Sequence, residues 1–304
     1  MTGPSGPAHP AEEIGALAIL TAPGGRPKDR ALPPFRFVDP ATPQVSALDL
    51  GVTRGDGIFE GISAVAGQPQ ALDAHLRRFE RSAAALDLPA PDLGAWRAAI
   101  VAVSAAVSGH PQVAIKAVYT RGIEGAGAPT GWVYGSPVSD FSAVRTEGLR
   151  VITLDRGYRH DVASTSPWLL QGAKTLSYAI NTAAIREAKR RGADDVIFVS
   201  SDGYVLEGPT SSVLIRRDDR ITTPGTGLAI LEGTTQGSAF EFAASRGFAT
   251  GFELSTVPQL RRADALWLVS SGRHAAPIRA LDGTDFPVDT AFTADLNRHL
   301  AAVS

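Results

Sequence analysis

The sequence predicts an α+β fold with a break near its middle, and three observations carry that expectation. Strand-like and helix-like runs in the second half mix without strict βαβ repetition, which argues against a doubly wound parallel sheet. A polar, turn-rich stretch, GSPVSDFSAVRTEG at 135–148, separates two strand-like runs. The chain has 304 residues and is 44% hydrophobic, enough for one large domain or two moderate ones with an ample core.

The elements follow in order. Residues 1–13 are rich in Pro, Gly and Ser and read as disordered. Residues 1–25 are taken together as a flexible N-terminal segment, and 22–34 as a loop. IFEGISAVAGQPQAL, 58–72, reads as two short strands around a Gly-Gln-Pro turn. Apolar residues at Leu72, Leu76, Phe79 and Ala83 recur at helical spacing. AWRAAIVAVSAAVSG is a second helix closed by Gly109, and QVAIKAVYT a strand over 112–120. The first domain is drawn over 26–138, the linker over 139–148 and the second domain over 149–304. The second domain opens with the strand LRVITLD, followed by a helix from Thr175 to Arg191 and the strand DDVIFVS. A turn at Ser201-Asp202-Gly203 leads to the strands YVLEG and SSVLIRR, then a helix from Thr235 to Arg246.

Composition narrows the function. A net charge of -2 lacks the basic excess of a nucleic-acid binder. There is no cysteine, so thiol nucleophiles, disulfides and thiolate metal sites are excluded. The six histidines do not cluster at metal-ligand spacing. No run of about 18 apolar residues is present, so no membrane span is expected. The start, MTGPSGPAHPAEE, has neither a basic nor an apolar leader region, and a cytoplasmic location is the default expectation. Only four of the 29 basic residues are lysine: Lys28, Lys116, Lys174 and Lys189.

Four places carry possible chemistry. Lys174, in QGAKTLSYA, sits at a strand-to-helix junction among small residues that leave room for a bulky group beside its amine. It is either a first-turn lysine in solvent or an amine poised for Schiff-base formation. Glu207, in GYVLEGPTSS, ends a strand before Gly-Pro. It is either an exposed turn residue or a carboxylate that stabilises a protonated pyridine nitrogen. Gly233, Thr234 and Thr235 open a helix, where free N–H groups and hydroxyls suit a phosphate, or where Thr simply caps the turn. Arg78, in HLRRFERSA, offers a planar fork for a phosphate or belongs to a solvated face with Arg77 and Arg81. His75 before it reads as structural.

Taken together and in this order, GDGIFEGI…ALDAHLRRFERSA, AKTLSYAINTAAIREA, DGYVLEGPTSSV and LEGTTQG resemble the class IV (fold-type IV) pyridoxal-5′-phosphate (PLP) enzymes. That family contains branched-chain and D-amino acid aminotransferases, R-selective amine transaminases and 4-amino-4-deoxychorismate lyases. The resemblance spans about residues 50–280. It implies a small N-terminal α/β domain and a larger C-terminal α/β domain with PLP between them, in a homodimer. It also implies that Lys174 carries PLP as a Schiff base and acts as general base. By the same resemblance Glu207 partners the pyridine nitrogen, and Arg78, Gly233, Thr234, Thr235 and Ser271 bind the phosphate. Leu231 packs on the ring, and Tyr178 reaches its phenolic oxygen. In branched-chain enzymes the comparable Tyr sits one place later.

The substrate-binding kits of known relatives are incomplete here. D-amino acid enzymes carry an Arg-x-His trap after Thr-Arg-Gly. In this chain Thr120-Arg121-Gly122 is followed by IEGAGAPTGW, and Phe59 stands where they have Tyr. Branched-chain enzymes have Arg at the position of Ser63 and Tyr-x-Arg at Ala114 and Lys116. The strand AIKAVYTRG, with PWLLQGAKTLSYA and VSSGR, resembles actinobacterial aminodeoxychorismate lyases. Phe59, Lys116, Arg121 and Arg273 are therefore the expected substrate residues. The expected activity is an aminodeoxychorismate lyase releasing pyruvate and 4-aminobenzoate, with a class IV transaminase acting on D-amino acids, branched-chain amino acids or R-amines as the alternative.

Overall fold

The computed structural model describes residues 15–25, 32–138, 140–228 and 230–303. The first half contributes β1 (Ala16–Leu20), β2 (Phe35–Val38), α1 (Leu50–Thr53), β3 (Gly57–Val65), β4 (Gln68–Pro69), α2 (Leu72–Ala85), α3 (Leu93–Ala106), β5 (Gln112–Thr120) and β6 (Thr130–Pro137). Then come α4 (Ser142–Glu147), β7 (Leu149–Asp155), α5 (Val162–Thr165), α6 (Ala179–Arg190), β8 (Asp195–Val199), β9 (Ser212–Arg217) and β10 (Arg220–Thr223). The chain ends with α7 (Thr234–Ser245), β11 (Ala249–Phe252), α8 (Val257–Leu260), β12 (Ala265–Ser270), β13 (His274–Leu281), β14 (Thr284–Asp285) and α9 (Thr290–Ala302).

Two sheets organise the molecule. The first has the order β2-β1-β6-β5-β3-β4, and every neighbouring pair is antiparallel. The second runs β11-β10-β9-β12-β13-β7-β8, with β14 on β13. It is mixed: β10–β11, β13–β7 and β7–β8 are parallel, the rest antiparallel. Both curl as half-barrels flanked by helices, the bilobed α+β architecture of the fold-type IV enzymes.

Each lobe has its own core. In the first, the apolar stripe of α2 and the face of α3 cover the sheet, and Phe79, Trp96 and Tyr119 meet edge-on or tilted. The Trp96 indole N–H is satisfied by the carbonyl of Pro23. In the second, β9, β12 and β13 bury Val213, Ile215, Leu266, Leu268, Ala276 and Ile278 on one face. Leu214, Trp267, Val269 and Ala275 pack on the other, under α7 and α9. Burial on both faces explains the near-continuous apolar run ALWLVS of β12.

Several sequence expectations need correction. The flexible segment drawn over 1–25 contains β1, which pairs with both β2 and β6 inside the first sheet; the disorder expected for 1–13 lies outside the described residues. The linker stretch carries the end of β6 and the helix α4, which packs against β13 and α9. The helix expected from Thr175 begins only at Ala179. Residues 174–176 instead spend their backbone groups on β3. Phe59 N–H donates to the Lys174 carbonyl, Leu176 N–H donates to that of Gly57, and Thr175 bridges Ile58. The run YVLEG is extended and bonds back to β8 through Leu206 and Phe198, without becoming a full strand.

Candidate active site

Period-two alternation on β3 sorts its side chains into two sets. Ile58, Glu60, Ile62 and Ala64 are buried, and Glu60 meets α2. Phe59, Gly61 and Ser63 line a cavity of about 440 Å³ between the two sheets, a size suited to a small molecule or cofactor. Lys174, Tyr178, Glu207, Leu231, Gly233, Thr234, Thr235, Ser271, Arg273 and Arg78 line the same space.

Lys174 enters this cavity from the segment pinned on β3, and its own N–H donates to Ser82 Oγ at 3.1 Å. Its Nζ lies 4.5 Å from the centre of the Phe59 ring and 5.9 Å from that of Tyr178. Burial, helped by the Arg78 charge, lowers its pKa to about 8, so a useful fraction of neutral amine exists near neutral pH. Lys174 thus lines the cavity from the segment before α6, rather than standing in the first turn of a helix in solvent.

Glu207 behaves oppositely. Burial raises its carboxyl to about 7, against the opposing pull of the Leu231 N–H, which donates to Oε2 at 3.1 Å, and of nearby Lys174 and Arg156. Leu231, expected only as an apolar contact, thus also holds the carboxylate through its backbone. Arg156 stacks 4.4 Å from the Phe198 ring centre. The Tyr178 hydroxyl and the Asn181 amide both donate to the Pro209 carbonyl, at 2.6 Å each, which fixes the bend after Glu207.

The opposite end of the cavity is a cup of donors. Gly233 is the N-cap of α7, and no side chain caps that helix, so its first amides remain available and the Thr-capping reading fails. A Cβ at Gly233 would run into Ser212 Oγ, so a larger residue there would have to turn that hydroxyl away. Ser271 Oγ lies 3.4 Å from the hydroxyls of both Thr234 and Thr235. Arg78 is buried rather than on a solvated face. Its Nε and Nη2 donate to Glu60 at 2.8 and 2.6 Å, and Nη1 donates to the Glu232 carbonyl at 3.0 Å. Sequence reasoning missed Glu60 altogether. The available signal was a charged residue at an inward position between Ile58 and Ile62.

Two expected substrate residues do not reach the site. Arg121 is spent on structure: Nε and Nη2 donate to Asp56 at 2.7 and 3.2 Å, and Nη2 also donates to the Leu86 carbonyl. Lys116 is exposed, opposite Gly61 in the β3–β5 register, and does not line the cavity. Arg273 does line it, but its Nη1 donates to buried Asp195 at 2.6 Å. Phe59 lines the cavity, edge-on to Tyr178 with ring centres 5.3 Å apart. Among the described residues no His, Asp or Glu cluster suits a metal, and no helix is long and apolar enough to cross a membrane.

These residues fit PLP: a half-buried amine and a half-buried carboxyl for a pyridine nitrogen, both lining one cavity, and an uncapped helix start with hydroxyls for a phosphate. Comparison with known proteins agrees. Residues 57–281 match the family described as amino-transferase class IV. A bifunctional aminodeoxychorismate lyase / D-amino acid transaminase of Mycobacterium tuberculosis is 42% identical over 261 residues, covering 83% of this chain and 90% of that protein. A fold IV-transaminase from Curtobacterium pusillum is 55% identical with a TM-score of 0.92, over 94% of this chain and 97% of that one. The PLP-bound form of a hypothetical aminotransferase from M. tuberculosis is 41% identical with a TM-score of 0.84, over 87% of this chain and 96% of that one. The chain therefore belongs to the class IV aminotransferases and is a PLP-dependent enzyme of fold type IV.

Proposed function

We propose that the chain is an aminotransferase whose amino donors include D-amino acids. The observation that carries this reading is the 55% identity, over nearly the whole of both chains, to a fold IV-transaminase. D-alanine aminotransferases of two other bacteria also match over most of their length. Aminodeoxychorismate lyase is the second reading, and the 42% identity to the bifunctional mycobacterial enzyme favours it as an accompanying activity.

In this reading PLP, when bound, supplies a carbonyl for an amine and an electron sink for the carbon that bears it. The chain's own residues do the rest. Lys174, with its pKa lowered to about 8, holds the cofactor and moves the proton at the substrate carbon. Glu207 keeps a proton on the pyridine nitrogen. Arg78, Gly233, Thr234, Thr235 and Ser271 receive the phosphate, while Phe59, Tyr178 and Leu231 pack around the ring. Lys174, Arg78 and Arg273 are the cations lining the cavity among the described residues, and both arginines are paired. A substrate carboxylate would then meet the remaining N–H groups of Arg273 together with neutral donors such as Ser63, Thr210 and Ser211. The reading also includes the two-domain division at 139–148, a homodimer and a cytoplasmic setting.

The test is optical. Protein supplied with PLP should absorb in the visible, and D-alanine added without keto acid should bleach that band within a turnover. If D-alanine leaves the band intact while aminodeoxychorismate yields 4-aminobenzoate, the lyase reading replaces the transaminase one.

A further inference from the structure

Behind the donor cup lies a buried pair that the proposed reaction leaves unused. Glu60 and His75 are 2% and 1% exposed. His75 stands one turn before Arg78 on α2, so both point at β3. Burial alone would raise the Glu60 carboxyl, but the Arg78 charge and the bonds from Arg78 and His75 pull it down to about 2. Glu60 is thus an ionised acceptor at neutral pH. His75 Nδ1, 2.7 Å from Glu60 Oε2, must carry the proton of that contact.

Nε2 then faces the cup, 3.2 Å from Ser271 Oγ and 3.3 Å from Thr234 Oγ1. In a neutral ring this nitrogen is an acceptor and draws a hydroxyl proton toward itself. A phosphate in the cup needs those same protons directed at its own oxygens, and each hydroxyl has only one. A proton on Nε2 removes the conflict. The ring then donates to the hydroxyl oxygens, the hydroxyls donate to the phosphate, and Glu60 balances the imidazolium.

The surroundings set the direction of the switch. Burial lowers the His75 pKa, with smaller contributions from Arg78 and Lys174 and opposition from Glu60. Arg78 Nη2 lies 3.4 Å from Nδ1. Across a water-sized cavity of about 20 Å³ stands His274, whose pKa is held down at about 4 by burial and then by Arg145. Glu60 is the anion that contacts the ring, and a phosphate dianion adds a second negative group one hydroxyl away.

We propose that His75 takes up a proton when a phosphate monoester occupies the cup, turning the Glu60–His75 pair into a donor that orients Ser271 and Thr234. This rests on the reading of Gly233, Thr234, Thr235 and Ser271 as the phosphate seat, and the experiment separates the two. Cofactor-free protein with ¹⁵N-imidazole-labelled histidine is titrated with pyridoxine 5′-phosphate, which has the phosphate but no aldehyde for Lys174. The His75 signals are assigned by their loss in His75→Gln, or by replacing the other five histidines if that variant does not fold. The expected result is a shift of Nε2 from the unprotonated to the protonated range as the probe binds, and roughly tenfold weaker binding in His75→Gln. Binding with Nε2 still unprotonated overturns the role of His75. Binding undiminished by Thr234→Val and Thr235→Val overturns the phosphate seat instead.

Discussion

Two parts of the cavity lining are built by different rules. At the donor cup, polar groups are held by other polar groups: Glu60 by Arg78 and His75, and Ser271 by Thr234, Thr235 and His75. Another part of the lining is a largely apolar wall, made of Val113, Ala114, Val138 and Phe141 from β5 and the segment after β6. The cup depends on residue identity, because each hydrogen bond needs one donor type in one place. The wall depends on shape, which many side chains supply. The cofactor end is therefore the more rigidly specified, and substitutions there should cost more.

Lys174→Ala should be the most damaging change, because it removes both attachment and base. A positioned general base contributes about 10²–10⁴-fold, so turnover should fall at least about 10³-fold and the visible band should disappear. Turnover near the wild-type level would leave the protein with a PLP site but a different reaction.

Glu207→Gln comes next. Losing the carboxylate that keeps the pyridine nitrogen protonated should lower kcat by about 10²-fold, or about 2.7 kcal/mol of barrier, while the cofactor stays bound. The same variant tests the environment of Glu207 in cofactor-free protein. Its folded-state carboxyl, near 7, lies above the ordinary 4.5. The stability that this carboxyl contributes is fully present below 4.5 and is lost as pH rises through 7. Urea unfolding of Glu207→Gln should show a flatter pH profile across that window than the wild type.

At the cup the effect should be on binding rather than rate. Thr234→Val and Ser271→Ala each remove one hydroxyl, worth about 1 kcal/mol. Each should weaken cofactor binding about fivefold, with kcat little changed at saturating PLP. A loss of kcat with unchanged affinity would move these hydroxyls from the phosphate seat to the reacting centre.

The same contrast explains what was legible in the sequence. Lys174, Glu207, Gly233, Thr234 and Thr235 could be read because their motifs occupy short contiguous strings, and these residues do converge on one cavity. Arg121 was misread because a cation beside a strand end looks alike whether it faces substrate or Asp56. Lys116 failed for a different reason: the right face of a strand does not guarantee reach into a cavity. The late start of α6 was hidden because nothing local says that 174–176 bond to β3, more than a hundred residues earlier. β1 was lost because its short apolar run, ALAIL, is set apart from its partners in the sequence. For Arg121, α6 and β1, long-range contacts rather than local propensity decided the outcome.

The apolar wall should give the smallest effect and the sharpest view of substrate choice. Phe141 lines the cavity just after β6 and is only partly buried, so truncating it removes part of the apolar wall and leaves the cofactor end alone. At about 25 cal/mol per Å² of apolar surface, Phe141→Ala should raise KM about threefold for a donor with a large apolar side chain. D-alanine, which offers only a methyl group to pack on that wall, should be used nearly as before. Equal losses on both donors would place Phe141 in support of the cofactor end. A loss on the bulky donor alone would mark the wall as the part of the site that sorts substrates by shape.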